Sequence, residues 1–308
     1  MTRTAVFVLL YSLLSPRALG QTSQFQFESI SVEHGLSQSS VWSILQDSYG
    51  FMWFGTADGL NKYDGYSFQI FRHDPQDSNS LTENTVRALL EDRDGILWVG
   101  TAVGLHRYDR TTGVFHHLGA EDRYKGTRLA ASTATIIQDR SGVLWIGTAA
   151  GLVTLDPKTG AFHQFSPSEF PKVSTSVDFR TYCEDRNGDI WCSNAELVFK
   201  FVREKKRFEV VPIPLNRTEA RISFVFIDHR GEYWIGTNTA GLISWQPGID
   251  SWRLFTHDPR IATSISSDNV WSIGEDDLGR LWVGTSTGGL NVLNRQTRMF
   301  THFAPYMD

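Results

Sequence analysis

The chain has 308 residues, a formal net charge of −5 and a pI near 6.0. That balance excludes a general nucleic-acid binder, which needs a positive face for phosphates. Apolar residues make up 41% and aromatics 13%, with 10 Trp, 20 Phe and 26 Gly, a composition suited to a packed interior joined by tight turns.

The N-terminus predicts a targeting segment. Arg3 supplies a positive start, residues 5–14 (AVFVLLYSLL) form a short apolar run, and Ala18-Leu19-Gly20 offers the small residues that a signal peptidase reads. The run falls well short of the roughly 20 residues that span a bilayer. We expect a signal peptide over 1–20, cleavage near Gly20, and a mature domain over 21–308 in the periplasm or outside the cell, with no membrane span.

From there an Asp, a Gly three residues on and a Trp three further recur six times. The copies are Asp47/Gly50/Trp53, Asp92/Gly95/Trp98, Asp139/Gly142/Trp145, Asp185/Gly188/Trp191, Asp228/Gly231/Trp234 and Asp276/Gly279/Trp282, with 43 to 48 residues between successive Trp. Five of the six Trp are followed by an apolar residue and then Gly-Thr. A period of this length filled with short strands predicts an all-β chain, a β-propeller with one four-stranded antiparallel blade per repeat. In the first copy, residues 41–46 alternate as a half-buried strand, and Asp47 to Gly50 make a turn whose Asp accepts from backbone N–H groups ahead of it. Residues 51–56, 60–63 and 66–73 supply three more strands. A group needed in every copy serves the frame rather than a reaction, so Asp, Gly and Trp are read as structural, with Trp between blades.

The fourth repeat departs, with Cys192-Ser193-Asn194 in place of apolar-Gly-Thr. Cys183 and Cys192 flank its turn symmetrically and are expected to face each other on neighbouring strands. In an exported protein they are a candidate disulfide, although a directly opposed antiparallel pair is geometrically awkward for one. Asn216-Arg217-Thr218 has the form of a glycosylation acceptor. His116-His117 reads as an exposed doublet on an outer strand.

Residues 25–32 (FQFESISV) look like an outermost strand preceding the first blade, while residues 299–303 already give the last blade its own. The leading strand then has no host among six blades. This predicts a ring of at least seven blades of which six are present; the competing reading is a six-bladed ring closed by stacking.

The segments 92–101 (DRDGILWVGT) and 276–285 (DDLGRLWVGT), the lead-ins Asn79-Ser80-Leu81 and 266–270 (SSDNV), and Glu33-His34-Gly35-Leu36-Ser37 resemble two-component regulator propeller repeats. The resemblance covers about residues 25–308. It implies the periplasmic sensor region of a hybrid histidine kinase, binding an oligosaccharide or forming a homodimer, and adjoining a further propeller domain in family members. The kinase, receiver and DNA-binding parts of that family have no counterpart here, and no named binding residue carries over.

Where the copies disagree, a ligand has room to act. Five residues before each Asp stand Trp42, Arg87, Ala134, Arg180, Ser223 and Trp271, whereas the position before that is mostly apolar. The two Trp and two Arg are expected at one mouth of the central channel, where aromatic faces stack on sugars and Arg offers forked hydrogen bonds. The competing reading is a simple plug. Loops at 57–58, 102–103, 149–150, 238–239 and 286–287 open on the same face. No nucleophile elbow, metal motif or isolated carboxylate pair appears, so we expect no catalysis, cofactor or metal. A secreted hydrolase or lyase acting on polysaccharide, and a purely structural dimerisation propeller, are the alternatives.

Overall fold

The structure, a computed structural model, describes residues 25, 27–173, 178–194, 196–213, 220–246 and 251–303. The predicted signal segment with its cleavage site and the acceptor Asn216-Arg217-Thr218 lie outside the described residues. The chain divides into two compact units, residues 1–30 and 31–308. In the first, the described residues form no strand, and the rings of Phe25 and Phe27 stand 6.4 Å apart. The outermost strand expected at 25–32 is therefore absent among the described residues. Val32–His34 is a 3-10 turn instead, capped by Ser31 and closed by Gly35 at φ 102°. The physical reason is local. Ser31 and His34 satisfy the turn's own backbone groups and leave a strand nothing to gain.

The second unit is all-β: six four-stranded antiparallel sheets, each built from four consecutive strands and arranged as a six-bladed propeller. The blades span residues 41–71, 86–117, 133–164, 180–211, 222–255 and 270–303. Their innermost strands are Val41–Gln46, Val86–Glu91, Thr133–Gln138, Arg180–Glu184, Ile222–Ile227 and Val270–Glu275. Among the described residues no helix is long and apolar enough to cross a membrane.

The recurrent phrase has one geometry throughout. One carboxylate oxygen of each Asp accepts the N–H groups two and four residues on, as Asp47 does from Tyr49 and Phe51. The other accepts the indole N–H of the Trp six residues on, at 2.7 to 3.0 Å in all six blades. The turn glycines Gly50, Gly95, Gly142, Gly188, Gly231 and Gly279 each donate their N–H to the carbonyl of their Asp at 2.8 to 3.0 Å. All six sit at φ between 73° and 93°, where a side chain is strained. Space is not what demands glycine in most of these turns. A Cβ would meet nothing within 4 Å at Gly50 and Gly95, and nothing closer than 3.4 Å at Gly142, Gly188 and Gly231. Gly279 differs, because a Cβ there would also press on the His229 ring at 2.9 Å.

The Gly-Thr after the Trp closes the next loop. Thr56, Thr101, Thr148, Thr237 and Thr285 each donate to the carbonyl of a glycine at, or one residue ahead of, the start of the third strand. Here close approach does matter: a Cβ on Gly147 would collide with the Phe179 carbonyl of the next blade, so that position has to stay bare.

Trp53, Trp98, Trp145, Trp191 and Trp234 each lie in an apolar cluster shared with the following blade. Polar clasps add to this packing. Arg110, Arg203 and Arg295 reach back from blades 2, 4 and 6 to Asp47, Asp139 and Asp228 at 2.7, 2.9 and 2.5 Å. Glu91, Glu184 and Glu275, each just ahead of its own turn Asp, accept the backbone N–H of Ser48, Arg140 and His229 in the preceding blade.

The two cysteines do not face each other. The turn sets Cys183 opposite Trp191, one residue out of register with Cys192, whose own partner is Thr181 beyond a bulge at Tyr182. A one-residue shift moves a side chain to the other face of a sheet. Cys192 accordingly sits in the core between blades 3 and 4 and Cys183 in that between blades 4 and 5, and both thiols are free. His117 also departs from expectation: it is partly buried, its ring stacked on that of fully buried His106 at 4.8 Å.

Candidate functional site at the channel mouth

All six inner strands carry a β-bulge, and in five of them the bulged residue is the one five positions before the turn Asp. It is Trp42, Arg87, Ala134, Ser223 and Trp271 in blades 1, 2, 3, 5 and 6. A bulge turns an extra side chain out of the pleat, so these residues leave the blade packing and point toward the channel. Trp42 and Trp271 are 52% and 56% exposed, far more than any turn Trp. Blade 4 bulges instead at Tyr182, whose hydroxyl bonds that of Ser193 at 2.5 Å. Arg180 there is a regular ladder residue opposite Ser193 and is exposed.

Two cavities open at this mouth. One, of about 370 Å³, lies across blades 4, 5 and 6 and is lined by Asp178, Arg180, Ser193, Asn194, Arg221, Ile222, Ser223, Asn238, Asn269 and Trp271. The other, of about 720 Å³, runs between blades 6 and 1 and is lined by residues 39–44, Trp271, Ser272 and Ser286. Trp271 borders both. Of the four sequence-predicted ligand residues, Arg180 and Trp271 share the first cavity, Trp42 and Trp271 share the second, and Arg87 lines neither. The repeated Asp, Gly and Trp residues stand at the other end of the inner strands. Neither mouth cavity is lined by any of them, the turn glycines Gly95, Gly142, Gly188, Gly231 and Gly279 included.

The first cavity is held by its own loops. The Asn194 side-chain oxygen accepts the N–H groups of Glu196 and Leu197 at 2.9 and 2.7 Å, forming the turn that Gly-Thr makes elsewhere. Asn238 accepts the Arg221 N–H at 2.7 Å and returns a backbone bond to its carbonyl at 3.0 Å. These bonds fix the backbone from which Arg221 projects. Among the described residues, neither guanidinium of Arg180 and Arg221 has an ion pair or hydrogen bond. Oδ1 of Asn269 is buried with no partner. The cavity thus offers two cations, an unfilled acceptor and the exposed face of a Trp. Asn238 lies in the loop 238–239 expected on this face and Asn269 in the lead-in 266–270, whereas Arg221 was not singled out from sequence; its signal was polarity in the short loops beside the inner strands.

The turn carboxylates belong to the frame. Burial pushes Asp276 up, but the Trp282 indole, the Arg280 N–H and the Arg280 guanidinium outweigh it and hold the group at about 2. Burial likewise opposes ionisation of Asp139, and the Ser141 hydroxyl, the Trp145 indole and Arg203 of the next blade hold it below the usual carboxylate range. Ionised acids spent on holding turns are poor proton donors.

The sequence pattern of the two component regulator propeller family matches residues 35–58, 80–102 and 264–287, in blades 1, 2 and 6. Three of the six repeats thus match two-component regulator propeller repeats. A stretch of 74 residues in this chain is 50% identical to histidine kinase P4 of Formosa agariphila, covering 24% of this chain and 5% of that protein. The fold is similar to the extracellular domain of a putative hybrid two component system from B. thetaiotaomicron, with a TM-score of 0.75 and 24% identity over 91% of this chain and 37% of that one. PorZ of the Porphyromonas gingivalis type-IX secretion system gives a TM-score of 0.63 at 18% identity, over 90% of this chain and 43% of that one. The virginiamycin B lyase of Staphylococcus aureus also gives 0.63, at 11% identity, covering 86% of this chain and 84% of the lyase. The chain therefore spans a small part of the histidine kinase and under half of the first two solved chains.

Proposed function

We propose that this propeller is the ligand-binding part of an extracytoplasmic sensor in a two-component system, taking an oligosaccharide at the channel mouth without transforming it. The observation that carries this reading is the mouth cavity of about 370 Å³, where exposed Trp271 stands beside Arg180, Arg221 and three Asn side chains. Aromatic faces beside convergent polar groups suit a sugar ring, which has an apolar face and a hydroxylated rim. Sensing is supported by the repeat family and by the resemblance to the extracellular domain of a hybrid system. The same comparison supports a location outside the cytoplasm.

Calorimetric titration of the purified chain with a panel of neutral and acidic oligosaccharides, with chromatography of the products, tests the reading. Binding with the sugar recovered intact is the expected result, weakened at least tenfold by Trp271→Ala. Cleavage of the sugar would instead make the chain a polysaccharide hydrolase or lyase, and unchanged affinity in the Trp271 variant would move the site elsewhere.

A further inference from the structure

Resting on the reading of the mouth cavity as the ligand site, we propose that its ligand is an acidic sugar, one whose ring carries a carboxylate or a sulfate ester held between Arg180 and Arg221. The argument starts from what the two guanidiniums lack. Nine other arginines bind carboxylates, among them Arg110, Arg203 and Arg295 at the blade junctions. Arg180 and Arg221 come from adjacent blades, line one cavity, and have no such partner among the described residues. Two like charges facing one concavity repel, and a lining that leaves both unneutralised favours a guest of opposite sign.

Among the described residues the cavity is lined by a single acidic side chain, Asp178, against these two cations, so that lining stays positive in a chain whose net charge is −5. An anion brought here meets a local field opposite to that of the whole molecule. The planar fork of each guanidinium matches the paired oxygens of a carboxylate or sulfate. Trp271 supplies the stacking face for the ring that bears the anion, and the unpaired Oδ1 of Asn269 accepts a ring hydroxyl. A neutral sugar would fill the Trp and Asn positions and leave both cations desolvated without compensation.

The test measures affinities of the purified chain, by calorimetry at low salt, for three probes of one size: trigalacturonate, a sulfated galactotriose and unmodified galactotriose. We expect at least one acidic probe to bind tenfold or more tightly than the neutral one, with the stronger arm identifying carboxylate or sulfate. Arg180→Ala and Arg221→Ala should each remove roughly tenfold of that affinity, Lys at either position should restore part of it, and rising salt should erode it. Arg253→Ala, at an exposed position on the outer strand of blade 5, should change nothing. Equal affinity for all three probes, or an acidic preference that survives the double arginine variant, overturns the inference. In that case Trp271→Ala separates the two readings. If it abolishes binding of the neutral probe, the mouth is still the site; if it does not, the site itself is misplaced.

Discussion

A single carboxylate in each blade does up to three jobs, and the difference among copies lies in the third. Asp139 closes its turn, receives the Trp145 indole, and accepts Arg203 from the next blade. Asp276 does the first two, but its guanidinium comes from Arg280 of the same turn. Asp139 is 1% exposed, so removing its carboxylate strands a buried indole N–H and part of an inter-blade ion pair. We expect Asp139→Ala to destabilise the chain by about 2–4 kcal/mol and Asp276→Ala by about half of that, read as a shift in urea midpoint at constant slope. The cysteines give a second test at this scale. Burial pushes the Cys183 thiol up to about 12 and Cys192 higher still, so both stay protonated, Cys192 buried and Cys183 partly buried. A thiol reagent should find no fast-reacting cysteine in the native chain and two after unfolding, with or without prior reduction. Recovery of fewer than two without a reductant would show a disulfide and contradict the bulged register of blade 4.

At the level of the strand and the blade, blade 2 carries a strongly pH-sensitive element. His106 is fully buried on its third strand, bonded to Thr82 and stacked on His117. Burial, and then the neighbouring His117, push it down to about 3. A neutral buried imidazole must take up a proton on unfolding at any pH between that value and the ordinary one near 6.5, so the unfolded chain binds more protons there. Stability is therefore undiminished above about pH 6.5 and falls as the pH drops toward 3, by at most about 1.4 kcal/mol per pH unit for this residue. The depressed turn carboxylates add their own loss only below about pH 4, as they protonate. His106→Gln should flatten the slope between about pH 6.5 and 4 while leaving the lower limb; an unchanged slope would assign it to other groups. The blades themselves were legible in the sequence, since a turn that repeats Asp, Gly and Trp six times announces its strands. The histidine stack was not, because it joins the third and fourth strands of one blade, and neither residue belongs to the repeat. The bulges were equally hidden, yet they explain why the variable column of Trp42, Arg87 and Trp271 escapes the packing. In blade 4 the bulge moves to Tyr182, and the symmetric spacing of Cys183 and Cys192 misleads because the turn sets Cys183 against Trp191, one residue short of Cys192.

Over the whole propeller, the six junctions are not equivalent. Inner strands pack neighbour on neighbour from blade 1 through to blade 6, and each of the first five turn Trp is buried by the blade that follows. Between blades 6 and 1 the pattern stops. Among the described residues no hydrogen bond or ion pair joins these two blades, and Gln46, which stands where Glu91 and Glu275 clasp their neighbours, bonds only Gly50 of its own turn. Ile44 on the first inner strand is 61% exposed, and a cavity of about 720 Å³ occupies the junction. Six blades were read correctly from the repeats; which junction is loose required the inter-blade contacts, which no single repeat encodes. Local opening has its lowest free energy where few apolar contacts hold the backbone. Amide exchange at neutral pH should therefore be at least tenfold faster along Val41–Gln46 and Val270–Glu275 than along Val86–Glu91 and Thr133–Gln138. The strand ladders within each blade are alike, so a difference of this kind can arise only from what lies beside the blade. Uniform protection across the four inner strands would show that blades 6 and 1 are held as firmly as the rest.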